Sequence, residues 1–168
     1  MYIGDTLKIE TVDERIIIYL RKDKINNIDF NNLDILEQYF KELVIKLNDI
    51  YNIKIEGFYN IRVYIDDLYG IVLEFEAEDI DYCLTNEIEM RISLFYEKFL
   101  YEINDFINIK NTKIIKKGFK YYLECHNNIE YNNYLTILEN SKIIYKNTKQ
   151  IIKYGNVITC FNLDKSMI

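Results

Sequence analysis

At 168 residues, 49% hydrophobic and with a net charge of -6 at neutral pH, the chain suits one ordinary domain or two small ones and is too apolar for a disordered protein. The acidic balance argues against a nucleic-acid binder and against docking on an anionic membrane, because both need clustered Lys and Arg. No apolar run approaches the roughly 18 residues of a membrane span, and no basic segment followed by an apolar one opens the chain. Three cysteines, Cys83, Cys125 and Cys160, are too few and too scattered for a disulfide framework, so a reducing, cytoplasmic setting is expected. The absence of proline and the 16 tyrosines read as the codon bias of an AT-rich genome.

Leu7 to Glu10 and Arg15 to Leu20 are β-prone runs around a short polar break, which predicts a hairpin. An Asn-rich connection, 26–32, leads to the clearest helix. There Leu33, Leu36, Phe40, Leu43, Leu47 and Ile50 recur at three- and four-residue spacing, with Asn31 or Asn32 as the cap. The stretch IKIEGFYNIRVYIDDLYGIVLEFEAE, residues 53–78, then organises the first half. Ile61, Val63 and Ile65 alternate with Arg62, Tyr64 and Asp66, and after a turn through Asp67 to Gly70, Ile71, Leu73 and Phe75 alternate with Val72, Glu74 and Glu76. Period two on both sides of a turn predicts a half-buried hairpin whose apolar face the helix covers. Residues 1–80 thus read as a hairpin–helix–hairpin unit.

Residues 79–88 break the periodicity and mark the expected boundary. A second unit, 88–168, is expected to begin with a strand through Met90, Ile92 and Leu94 and to continue through Phe99 to Ile103. One or two helical turns at 105–109, a hairpin around Lys116-Lys117-Gly118, and a helix over 130–139 follow. A short strand at 143–145 leads to a helix capped by Thr148 and ended by a left-handed Gly155, with a last strand at 157–161. The expected fold class is α+β: two small units, each a short, mostly antiparallel sheet covered by one or more helices.

Candidate chemistry is sparse. Cys125 and His126 are neighbours on a strand and point to opposite faces, and no paired Cys or His spacing suits zinc, so no metal, cofactor or catalytic residue is assigned. His126 closes a strand in a His-Asn-Asn turn and is expected to be exposed. Asp66-Asp67 is explained by the turn alone. Glu74, Glu76 and Glu78 share one face of a strand; such a row is ordinarily a solvated face, and otherwise an acidic contact for a basic protein partner. No phosphate-cradling or nucleophile-elbow motif occurs.

The second half, from LYEINDFINI through KGFKYYLE, NYLTILENSKII and TKQIIKYGNVI, resembles the C-terminal domain of MecA-type adaptor proteins, with Asp105-Phe106, Gly118 to Leu123 and Tyr154-Gly155 at the corresponding steps. The first half is similar in layout to the family's other domain, with Glu56-Gly57-Phe58-Tyr59-Asn60-Ile61-Arg62-Val63 as its strand signature. Two departures are a truncated helix after Asp105-Phe106 and an inter-domain segment of only about ten residues. The resemblance implies a non-enzymatic adaptor that links substrate proteins, recruited by the first half, to a Clp-family AAA+ unfoldase docked by the second. The residues themselves leave open a phage or sporulation accessory protein with a structural or protein-interaction role, and leave the oligomeric state unassigned.

Overall fold

A computed structural model describes residues 2–3, 7–13, 15–51, 57–78, 89–127 and 129–161. The chain has an α+β fold and divides into two units, residues 1–96 and 97–168.

The first unit is built on a sheet of β1 (Tyr2–Ile3), β2 (Leu7–Val12), β3 (Arg15–Arg21), β4 (Phe58–Asp66), β5 (Gly70–Glu78) and β6 (Glu89–Tyr96), in the order β1-β2-β3-β5-β4-β6. The two expected hairpins form, with Leu7 opposite Leu20 and Ile65 opposite Ile71. They join through β3 and β5, which run antiparallel with Leu20 opposite Ile71. A single helical turn, α1 (Lys22–Ile25), follows β3 and buries Ile25. The main helix, α2 (Leu33–Tyr51), starts where Asn32 Oδ1 accepts the amides of Asp34 and Ile35, satisfying two donors that the first turn leaves open.

Leu36, Phe40, Val44 and Leu47 of α2 join Ile18, Leu20, Ile61, Val63, Ile65, Ile71, Leu73 and Phe75 in one core, and Phe40 is 0% exposed. Val44, outside the expected stripe, is buried, whereas Leu33 is exposed; the buried stripe runs at four- and three-residue steps from Leu36 to Leu47 and leaves Leu33 beyond its end. The side chain of Ile50 lies outside the described residues.

Two expectations change in this unit. The strand through Met90, Ile92 and Leu94 pairs in parallel with β4, Ile92 opposite Ile61 and Leu94 opposite Val63, so it belongs to the first unit rather than opening the second. The division therefore falls at 96/97, and the expected boundary at 79–88 lies outside the described residues. The central hairpin is also not half-buried. From Gly70 to Phe75 every residue of β5 is buried, including Val72 and Glu74 on the face away from the core, beside Tyr19 and Tyr64. Gly70 is required here: its φ of 132° suits glycine, and a Cβ would run into the Leu20 carbonyl across the β3–β5 pair.

The second unit has β7 (Leu100–Ile103), β8 (Thr112–Lys117), β9 (Lys120–Cys125), α3 (Tyr131–Asn140), β10 (Ser141–Ile144), α4 (Thr148–Tyr154) and β11 (Asn156–Phe161). Its antiparallel sheet has the order β10-β7-β9-β8-β11. One helix packs on each face. Ile151 of α4 joins Leu100, Ile115 and Tyr122 in a core cluster, while Tyr134 of α3 meets Tyr101, the next residue of β7 and so on the other face, with hydroxyls 2.9 Å apart.

Three local expectations differ. Residues 105–109 form no helical turn. Asn147, in a left-handed conformation, occupies the position before α4 in place of Thr148, whose hydroxyl instead meets Glu97. Gly155 is extended rather than left-handed, and its glycine serves close approach: a Cβ would strike Ile115 Cγ2.

Candidate partner-binding surfaces

The three carboxylates singled out in the sequence do not form an open stripe. On β4, Arg62 stands opposite Glu74, Asn60 opposite Glu76 and Phe58 opposite Glu78. Arg62 Nη1 lies 2.8 Å from Glu76 and 3.7 Å from Glu74, and the Asn60 amide donates to Glu78. Glu74 is 1% exposed and has left the surface altogether. The cause is that this face of the sheet is itself buried at its centre, where Tyr64 and Val72 flank it. Burial first, and then the negative charge of Glu74, pushes the Tyr64 phenol up to about 12. Glu76 and Glu78 remain half-buried and engaged with β4. A contact for a basic partner is thus reduced to two carboxylates with neighbours of their own.

A second charged group went unread in the sequence. Glu124 of β9, 3% exposed, accepts a hydrogen bond from Lys98 on Oε1 and forms an ion pair with Lys113 at Oε2, each at 2.6 Å. Lys113 is its direct cross-strand neighbour; Lys98 arrives from the segment just before β7. Glu97 beside it accepts the Thr148 hydroxyl at 3.0 Å and lies 3.6 Å from Lys149. The opening residues of the second unit are thereby fastened to both β9 and α4. Burial opposes ionisation of Glu124, but the two ammonium groups outweigh it and hold the carboxyl below its usual range. A carboxylate so held has no proton to give near neutrality, which suits a structural tie and not general acid chemistry.

His126 lies on the same face, its Nε2 4.0 Å from Glu124 Oε1, and only 14% of its side chain is exposed. The expectation of an exposed histidine fails because its amide bonds to the Asn111 carbonyl, continuing the β8–β9 ladder one residue past the strand. Burial and then the charge of Lys98 lower its pKa against the pull of Glu124. Cys125 is buried and Cys160 exposed; Cys83 lies outside the described residues. Among the described residues no cluster of His, Cys, Asp and Glu is arranged to hold a metal. Among them, too, no helix is long and apolar enough to cross a membrane.

The third surface is the β8–β9 turn, KKGFK, residues 116–120. Lys117 and Lys120 close the hairpin, Gly118 takes φ 62°, and Phe119 stands fully in solvent at 102% exposure. Behind it, Lys116 lies over the Tyr121 ring at 5.4 Å, and Phe106, itself exposed, meets the same ring edge-on at 5.1 Å. Lys120 pairs with Glu102 at 2.9 Å. Exposed Tyr154 at the end of α4 adjoins this end of the sheet, since Asn156 pairs with Lys116.

No protein-family model, curated protein or solved structure matches the chain.

Proposed function

We propose that this protein is a non-enzymatic adaptor that brings substrate proteins to a Clp-family AAA+ unfoldase, the first unit recruiting and the second docking. The observation that supports this most is the chain's division into two separately cored units of opposite charge. Residues 1–96 carry 10 Lys and Arg against 20 Asp and Glu, while residues 97–168 carry 11 against 7. A net charge of -6 for the whole chain therefore hides an acidic unit and a basic one. Two such units present different potentials to two different partners. The function needs no bond-making step: holding the substrate on one unit while the other is docked raises its effective concentration at the unfoldase. The strand and helix order that resembles MecA-type adaptors supplies the partner class.

The test is calorimetric titration of the full-length chain into a purified Clp-family unfoldase from the same cell, followed by degradation of a captured substrate with and without the chain. Binding at tens of micromolar or tighter, on the order of 6 kcal/mol or more, with faster degradation, is the expected result. No binding in that range removes the adaptor reading.

A further inference from the structure

We propose that the turn at residues 116–120 is the docking key of the second unit, placing Phe119 in an apolar pocket rimmed by carboxylates on the unfoldase. This rests on the adaptor reading above and names the surface through which it would act.

A lone exposed apolar residue needs no explanation, but Phe119 is not alone. Exposed Phe106 and Tyr154 and half-buried Tyr121 gather at the same end of the sheet. Lys116, Lys117 and Lys120 lie in the turn on either side of Phe119, and on the face that α4 covers Lys153 lies 5.2 Å from the Tyr154 ring centroid. Aromatic anchors framed by cations form the composition from which interface hot spots are drawn.

The tip is also held rigidly. Its two strands are β8 and β9, inside the five-stranded order, with Ile114, Ile115, Tyr122 and Leu123 all buried. A hairpin anchored this way loses little freedom on docking, so more of the contact energy appears as affinity.

Shape and charge select the kind of partner. A convex tip with a single phenylalanine at its apex fits a pocket, which a folded protein surface supplies. The lysines call for carboxylates at the rim of that pocket. An extended polyanion or an anionic bilayer spreads negative charge over a wide area and disfavours a chain of net charge -6 more than a pocket-sized acidic site does.

The experiment compares the full-length protein with its Phe119→Ser and Lys117→Glu forms in binding to the purified unfoldase at low and high salt. Phosphatidylserine vesicles and a thymidine oligonucleotide serve as the two other probes. Phe119→Ser should weaken unfoldase binding by about tenfold or more, as truncation of a central anchor does, with an unchanged circular dichroism spectrum because the side chain touches only water. Lys117→Glu should slow association and flatten its salt dependence. If the parent binds the unfoldase and both variants bind equally well, the tip is not the key, although the adaptor reading stands. If the parent does not bind the unfoldase, both readings fall. If vesicles or the oligonucleotide bind the parent and lose affinity with Phe119→Ser while unfoldase binding is unchanged, the tip serves a membrane or a nucleic acid and this proposal is overturned.

Discussion

Glu74 in the first sheet and Glu124 in the second are both buried, and both stand on strands with a partner on either side. Their surroundings differ. Arg62 lies opposite Glu74 but reaches Glu76 more closely, at 2.8 Å against 3.7 Å, so its charge is shared along the strand. Glu124 receives one ammonium on each oxygen at 2.6 Å. The consequence appears in the neighbours. The negative charge of Glu74 is felt by Tyr64, where it adds to burial in holding the phenol protonated. That of Glu124 is met on the spot by two lysines, and its own carboxyl stays ionised in spite of burial. Similar burial of the same residue type thus yields a group whose charge raises a neighbouring phenol in one unit and a group tied to two lysines in the other. Where the cations reach, more than depth, makes the difference.

The burial of both carboxylates is enforced by the apolar cores beneath them. Phe40→Ala, under the first sheet, should cost roughly 3–5 kcal/mol of that unit's stability. Urea titration should show a loss confined to one transition if the units unfold separately, and an unchanged midpoint would place Phe40 outside the core. Next in size is Lys113→Met, which leaves Glu124 with one ammonium and should cost about 3 kcal/mol, the low end for breaking a buried pair. The double change Lys113→Met with Glu124→Leu should recover much of it; a double variant weaker than the single one would contradict the tie.

Smaller still are the pH effects, which sharpen the contrast because they have opposite signs. The pKa of His126 lies below its usual value in the folded protein, so stability is whole above about 6.5 and declines as the pH falls through that value toward the folded one. The depressed carboxyl of Glu124 adds a further loss at lower pH, below the ordinary carboxylate value. Tyr64 acts at the other end. With its phenol raised to about 12, stability is whole below about 10 and is lost as the pH climbs between the two. Urea midpoints across pH should show the acid limb flattened near neutrality by His126→Gln and the alkaline limb flattened by Tyr64→Phe. An unaltered profile in either variant would deny that group its part. Least of all, Glu76→Gln should change stability by less than about 1 kcal/mol, because its pair with Arg62 is half-exposed.

Much of the architecture could be read from local pattern. The α2 stripe at Leu36, Phe40 and Leu47, the Asn32 cap and the turns at Asp66 and Gly118 follow from spacing and turn chemistry. What escaped depends on distant partners. Alternation identified Met90, Ile92 and Leu94 as a strand but says nothing of its neighbour, and pairing with β4 reaches back about thirty residues. Burial of Glu74 was hidden because alternation shows which residues share a face, and it does not show whether both faces are covered. The Glu124 tie was partly legible: counting back from the KKGFK turn sets Lys113 opposite Glu124. Lys98 was not, since it comes from outside the hairpin. The exposure of Phe119 is not legible from the Lys116-Lys117-Gly118 break alone: the last pair of the hairpin is Lys117 with Lys120, which leaves Phe119 in a two-residue turn facing solvent.

The parallel strand β6 also bears on how the chain is made. During synthesis from the N-terminus, β4 and β5 leave the ribosome as a hairpin well before residues 89–96 emerge, so the outer edge of β4 is temporarily bare. From Phe58 to Ile65 it offers a row of amides and carbonyls that another nascent chain could occupy. The β3–β5 pairing, Leu20 with Ile71, spans some fifty residues and must also await a long closure. The first half of the chain is therefore vulnerable until Tyr96 is out, and translation products ending within 79–88 should be the ones that aggregate, for want of the strand that covers the edge of β4.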